Sequence, residues 1–456
     1  MVLAGLGAAS AHAQNNNNNN NQTPLAVAGV MVDAAGVLKV QTLTDPGWGQ
    51  TRARAARLNA AASSDAARSS ELRKVSLNRL EASLKQRLDR GEKPTEEMAF
   101  LAGLTRVKYV FYFPETKDIV IAGPAQGWRV DVVGRAVGTD TRAPIVELQD
   151  LVVALRAFPP NGQSPAVISC SIDPTKEGLA AMQSFLNRIG TQLNAGGVAQ
   201  QSRFITQGLR ESLGLQTVTV KGVPGSTHFA QVLVEADYRM KLIGIGLERP
   251  GIKLASYVDH ASPASVSRNA MQRWYFVPDY DCVRVSDDKL GMELVGDGVK
   301  LVGEDELVTA AGARVKSNTM DMAGKRFVQG FTEKYPQLAA RQPVYAQLRN
   351  LIDLSVAAAF IQQQDYFGQA AWTMSTFGDE SAFPVETFQE PKRVESAVAA
   401  VVKGSRLMTP IGGGVNIKPK EALSESRMMR DGLGEVKGQR DKLSLSDLAP
   451  GQWWWD

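Results

Sequence analysis

The segment from Ser226 to Lys241 (STHFAQVLVEADYRMK) gathers the side chains best suited to chemistry. Spaced at 100° per residue, Phe229, Val232, Leu233, Ala236, Met240 and Ile243 form one apolar stripe. His228, Gln231, Glu235, Tyr238 and Arg239 gather on the opposite face. Glu235 with Arg239, and Asp237 with Lys241, stand four residues apart, the spacing of helical ion pairs. An imidazole on the same face as a carboxylate and a phenol is suited to general acid–base work or to holding a polar ligand. The plainer reading is a surface helix with two ordinary ion pairs, each worth a few tenths of a kcal/mol, and it is preferred. Further along, Arg273 and Trp274 (with Arg268 and Tyr275 nearby) would suit a sugar ring or an acidic group through stacking and charge. Strand alternation more simply places Trp274 in the core. The candidate ligand-binding set is therefore His228, Glu235, Asp237, Tyr238, Arg239, Lys241, Arg273 and Trp274.

Other constellations are weaker. Of the histidines His12, His228 and His260, none accompanies a Gly-x-Ser-x-Gly elbow. Ser286-Asp-Asp-Lys289 has the Ser-x-x-Lys spacing but reads as a turn between strands. Gly244-Ile-Gly246 ends a helix where a dinucleotide loop would open one, and Gly412-Gly-Gly414 lacks the Lys-Ser or Lys-Thr of a P-loop. Asp279 and Asp281 could share a metal, though turn and strand-edge roles are preferred for them. No catalytic residue, metal ligand or cofactor is assigned, and enzymatic activity is not the leading expectation. Cys170 and Cys282 both fall on predicted strands. In an oxidising compartment a disulfide between them would close a loop of more than a hundred residues, worth about 4 kcal/mol in the chain-entropy view. The alternative is two buried free thiols in different parts of the sheet.

The elements that must position these groups follow from pattern and composition. The chain has 456 residues, 44% of them hydrophobic and 21% charged, which suggests two or three folded domains. Its 51 Lys and Arg against 47 Asp and Glu leave a net charge of +4, which argues against a protein built to grip nucleic acid. No run of about 18 apolar residues predicts a membrane span. Residues 1–13, ending Ala11-His12-Ala13, read as the remnant of a signal peptide cut short by a late start codon. Residues 14–50, with seven consecutive asparagines from Asn15 to Asn21, read as a tether. Residues 51–162 form an N-terminal α+β region. In it Leu77, Leu80, Leu84 and Leu88 share a helical face, and a hairpin spans Val107 to Ala122. Thr51 to Lys93 carries eleven basic and five acidic residues, so that helix has either a face for an acidic surface or, the preferred reading, an ordinary solvated one.

Residues 163–312 read as a central α/β domain running into an antiparallel meander, with strands at Ile252–Val258, Gln272–Val277, Cys282–Val285, Gly291–Val295 and Val299–Val302. Residues 313–367 read as a buried helical segment. Residues 368–456 read as extended and partly disordered, with a strand or bulged hairpin within Arg406–Ile417. Trp453, Trp454 and Trp455 either dock back into a groove, which is preferred, or engage a partner or membrane interface. The fold class expected is α+β.

Several long strings resemble an exported planctomycete paralogous family that carries a domain of unknown function. They include Tyr109-Val-Phe-Tyr-Phe-Pro-Glu-Thr, Asp118-Ile-Val-Ile-Ala-Gly-Pro124, Ser171-Ile-Asp-Pro-Thr-Lys-Glu-Gly-Leu179 and His228 to Glu248. Arg273 to Cys282, Gly330 to Pro336 and Met408 to Ile417 extend the resemblance across about residues 70–420. It implies an exported bacterial protein and brings no site residues. The expected function is a non-catalytic binding or structural role in the cell envelope, toward an unidentified polymer or protein. Peripheral membrane contact is a weaker option. The alternative is an extracytoplasmic hydrolase or transferase drawing its acid–base pair from His228, Glu235, Asp237, Asp279 or Asp281.

Overall fold

The structure, a computed structural model, describes residues 27–42, 65–131, 134–189, 198–261, 270–308, 314–316, 321–398, 402–403, 406–407, 412–445 and 448–456. Two mixed sheets and the helices packed on them make an α+β fold. The first sheet runs, in spatial order, β1 (Val27–Val32), β2 (Val37–Thr42), β15 (Arg393–Glu395), β9 (Leu215–Lys221), β8 (Ile168–Asp173), β18 (Gly412–Ile417), β10 (Ala270–Pro278), β13 (Val299–Val308) and β14 (Arg314–Lys316). The second runs β19 (Met429–Arg430), β11 (Val283–Val285), β12 (Gly291–Leu294), β4 (Tyr109–Phe113), β5 (Asp118–Ala125), β3 (Ser70–Ser76) and β20 (Trp454–Trp455). Two short ladders, β6 (Trp128–Val130) with β7 (Ala136–Gly138) and β16 (Val402–Lys403) with β17 (Arg406–Leu407), stand apart.

Burial on both faces explains the unbroken apolar run of β4. Val110 and Tyr112 enter the main core, while Tyr109, Phe111 and Phe113 pack on a second cluster with Val436, Leu445 and Trp455. The main core continues through three helices, α2 (Leu148–Ala157), α5 (His228–Gly244) and α8 (Pro343–Gln363), to the first sheet. Beside that core, α3 (Lys176–Ile189) and α4 (Val198–Leu213) close a separate apolar cluster around Leu179, Phe185 and Leu209. Pro343 starts α8 directly after α6 (Met322–Glu333) and α7 (Tyr335–Arg341), as its fixed φ favours at a first helical turn. Among the described residues α8 is long and apolar enough to cross a membrane (mean hydropathy 1.2), and it is buried within the body. The leucine-faced helix α1 (Leu77–Leu88) packs through Leu77, Leu80 and Leu84, and its buried Glu81 accepts from the backbone of Thr376 and Phe377 and from Trp372.

Several expectations need correction. Ile252–Val258 is not a strand. It is irregular up to Ser256, which with Asp259 closes a capping box on a short helix, Tyr257–His260. The meander is divided between the sheets: β10 pairs with β13 in the first, and the β11–β12 hairpin between them crosses to the second. The return is made at Gly296 and Gly298, both with positive φ (67° and 66°), which L side chains rarely adopt. Residues 27–42, expected within a tether, form the β1–β2 hairpin, turned where Asp33 accepts from the backbone of Ala35 and Val37. The leader and the asparagine run lie outside the described residues. The C-terminal span supplies β15 and β18 to the first sheet and β19 and β20 to the second. β18 is the strand read within Arg406–Ile417, whereas β15, β19 and β20, two or three residues each, are too short to announce themselves in sequence and take their order from neighbours already aligned. Cys170 on β8 and Cys282 beside β11 are buried free thiols in different sheets, so the disulfide considered above does not form.

The tryptophan tail docks. β20 pairs antiparallel with β3, and the side chain of Arg73, wholly buried, donates to both carboxylate oxygens of Asp456 at 2.8 Å. The same guanidinium donates to the carbonyls of Ala66 (2.9 Å) and Ala102 (2.6 Å) and lies 4.6 Å from the Trp454 ring centroid.

Candidate functional site

The apolar stripe of α5 is present as read. Phe229, Val232, Leu233, Ala236, Met240 and Ile243 are all buried. The helix opens at Thr227, whose hydroxyl accepts from the backbone N–H of Ala230 at 3.2 Å. The opposite face is the correction: it is no solvent surface. Glu235, Asp237, Tyr238, Arg239 and Lys241 are buried too, with Asp237 at 0% exposure. Helix α5 is enclosed because it lies on β8 and β18 on one side and under α2 and α8 on the other.

A charge can persist at such depth only with partners. The two spacings of four residues do form ion pairs, Arg239–Glu235 at 3.1 Å and Lys241–Asp237 at 2.8 Å. Each also recruits a group from elsewhere. Arg135 donates to both oxygens of Glu235 (2.7 and 2.8 Å), and Arg239 donates onward to Glu248 (2.7 Å at its shortest). Lys241 donates to the carbonyl of Ile172 at 3.1 Å. Burial opposes the Arg239 charge, but its bonds to Glu248 and the nearby Glu235 hold its pKa above the ordinary value. For Asp237 burial outweighs the lysine and pushes the carboxyl up to about 6, and its Oδ1 is buried without a hydrogen-bond partner. Burial likewise pushes the Tyr238 phenol up to about 12.

His228 does not face Glu235. Its Nδ1–H donates to the Asp150 carboxylate at 2.9 and 3.1 Å, and its Nε2 stands 4.0 Å from Glu147 Oε1. Burial works against the imidazolium, but Asp150 and Glu147 outweigh it and raise the pKa to about 9. Burial raises Glu147 in turn, with His228 opposing. The three side chains have ligand atoms within 4.8 Å of one another. Asp150 is buried, whereas His228 and Glu147 retain 17% and 16% side-chain exposure, so the cluster touches the surface at one rim. Glu147 and Asp150 occupy the start of α2, three residues apart on one helical face. Only that spacing hints at them in sequence; their partner lies 78 residues beyond Asp150.

The remaining candidates disperse. Arg273 donates to Asp173 at 3.1 Å and lies over the Tyr275 ring. Trp274 is wholly buried between Tyr257 and Phe327, as strand alternation indicated. Asp279 pairs with Lys300 and Asp281 with Arg427, both carboxylates well exposed, so they do not combine into one site. Ser286 sits in a tight turn, its hydroxyl donating to Asp288 and its N–H bonded to Gly291, and Lys289 has a φ of 56°. Gly412-Gly-Gly414 is a strand in the middle of a sheet, where a Cβ on Gly413 would stand 2.0 Å from the Trp274 carbonyl oxygen. Arg268 lies outside the described residues.

The family model described as "Protein of unknown function (DUF1598)" matches residues 170–257. No curated protein and no solved structure matches the chain. The matched span holds β8 from Cys170 onward, α5 and every charged group of α5, but not Arg135, Glu147 or Asp150, which complete their network from outside it. The chain thus contains a domain of unknown function whose helix is locked to the N-terminal region through those three residues.

Proposed function

We propose that this chain is an exported, non-catalytic binding or structural protein of the cell envelope. The observation that carries the non-catalytic half is the state of α5: its Glu235, Asp237, Arg239 and Lys241 are buried and bonded within the molecule. Groups held in this way are occupied with one another and have no route to a substrate. Export is supported by the small-residue apolar stretch closing with Ala11-His12-Ala13 and by the asparagine run that follows. The resemblance of its sequence strings to exported planctomycete paralogues points the same way.

The test is fractionation of cells that make the protein from its own gene, followed by N-terminal sequencing of the native polypeptide. Mature protein beginning after Ala13 in the envelope fraction or the medium is the expected result. Polypeptide with its Met1 intact among cytosolic contents would overturn export. Co-sedimentation with isolated cell-wall polymer then tests the binding half.

One observation favours a second reading, an extracytoplasmic hydrolase or transferase: Asp150, His228 and Glu147 run as carboxylate, imidazole and carboxylate to a partly open rim. On that reading His228→Gln would abolish turnover of an envelope polymer by a folded protein, and unchanged turnover would eliminate it.

A further inference from the structure

We propose that Glu147, Asp150 and His228 form a divalent-cation site, best matched to Zn²⁺. This inference rests on neither reading of the function. The three side chains come from the starts of two helices, α2 and α5, and each offers a ligand atom within 4.8 Å of the other two. Two ligands of one ion at about 2.0–2.2 Å stand at most about 4.4 Å apart, so a small side-chain adjustment brings the three atoms onto one ion. One imidazole and two carboxylates suit zinc or manganese better than the all-oxygen sets that calcium and magnesium prefer. Three protein ligands and a partly open rim also describe the sites that leave a fourth position to water or a ligand.

Two further observations point to a cation. The first is charge. Glu147 and Asp150 face one imidazole, Glu386 adds a third carboxylate acting on Glu147, and the nearby Arg135 already donates to both oxygens of Glu235. Binding would displace the proton that His228 shares with Asp150, leaving a neutral imidazole and two carboxylates whose charge one divalent ion balances. The second is Gln149. Its amide nitrogen donates to Glu147 Oε2 at 2.6 Å and so fixes that carboxylate, while its Oε1 is buried with no hydrogen-bond partner. A water held by the cation would donate to such an acceptor.

The test uses the full chain after chelator treatment, titrated with Zn²⁺ by calorimetry, with Mn²⁺ and Ca²⁺ as comparison arms. The expected result is one Zn²⁺ per chain, with affinity lowered roughly tenfold or more by Glu147→Gln and by His228→Gln. The control His260→Gln should leave it unchanged. Circular dichroism confirms that each variant is folded. If either variant fails to fold, the wild-type protein decides by NMR: Zn²⁺ must shift the His228 imidazole resonances and leave those of His260 in place. Absence of stoichiometric binding overturns the proposal. So does binding indifferent to both substitutions, or a shift confined to His260.

Discussion

Asp237 allows the energetics of the buried helix to be tested directly. Its carboxyl, wholly buried beside Lys241, is raised from 3.8 to about 6 in the folded protein. The sign follows from which state holds the proton more tightly. Below the ordinary value both states are protonated and nothing is lost. As pH rises from about 4 to about 6, the unfolded chain releases its proton first and the folded state is penalised; above about 6 the cost is constant. At ~1.4 kcal/mol per pH unit the penalty at pH 7 is about 3 kcal/mol. The perturbation is Asp237→Asn, and the assay is urea denaturation of both proteins at intervals from pH 4 to 7. The wild type should lose about 3 kcal/mol more than the variant over that range, because every other carboxylate contributes alike to both curves. Leaving Lys241 without its counter-ion lowers the variant's whole curve. If that lysine then sheds its proton, the variant gains stability with pH and the gap widens in the same sense. Parallel curves would refute the argument that burial outweighs the lysine.

Three other outcomes are expected. Gly244→Ala places a Cβ 2.0 Å from the ring of Trp274, which is boxed in by Tyr257 and Phe327, so stability should fall by about 1–3 kcal/mol in the same denaturation assay. Arg73→Met takes a donor from Asp456 and from the carbonyls of Ala66, Arg68 and Ala102; the thermal midpoint should drop, and the tail tryptophans should become open to acrylamide quenching. Burial pushes the Cys170 thiol well up and the Cys282 thiol up to about 12, so neither should react with a thiol reagent at pH 8 until the protein unfolds, when two thiols should appear.

The helices were legible because their apolar spacing is local. The leucines of α1, the stripe of α5 and the Pro343 start of α8 each appear within a few turns of sequence. Partnership between distant segments was not. Nothing near Glu235 announces Arg135, and nothing near His228 announces Asp150, so charged residues facing away from an apolar stripe read as solvent-facing. Their internal pairing was correctly spaced in the sequence and wrongly located in space. The glycine run at Gly412–Gly414 was eliminated as a phosphate loop by its missing lysine, but its use as a close-approach strand depends on Trp274 and Cys170 far upstream. The division of the expected meander between two sheets has the same origin, since strand pairing across the chain leaves no periodic mark.

The place of β18 between β8 and β10 sets an order of events during synthesis. Until residue 412 and its successors have been made, β8 and β10 are two unmated borders, and the sheet exists as separate flanks. The nascent polypeptide therefore cannot close this sheet before β18 has emerged. Closure waits for the residues from 412 onward, and slow long-range pairing delays it further.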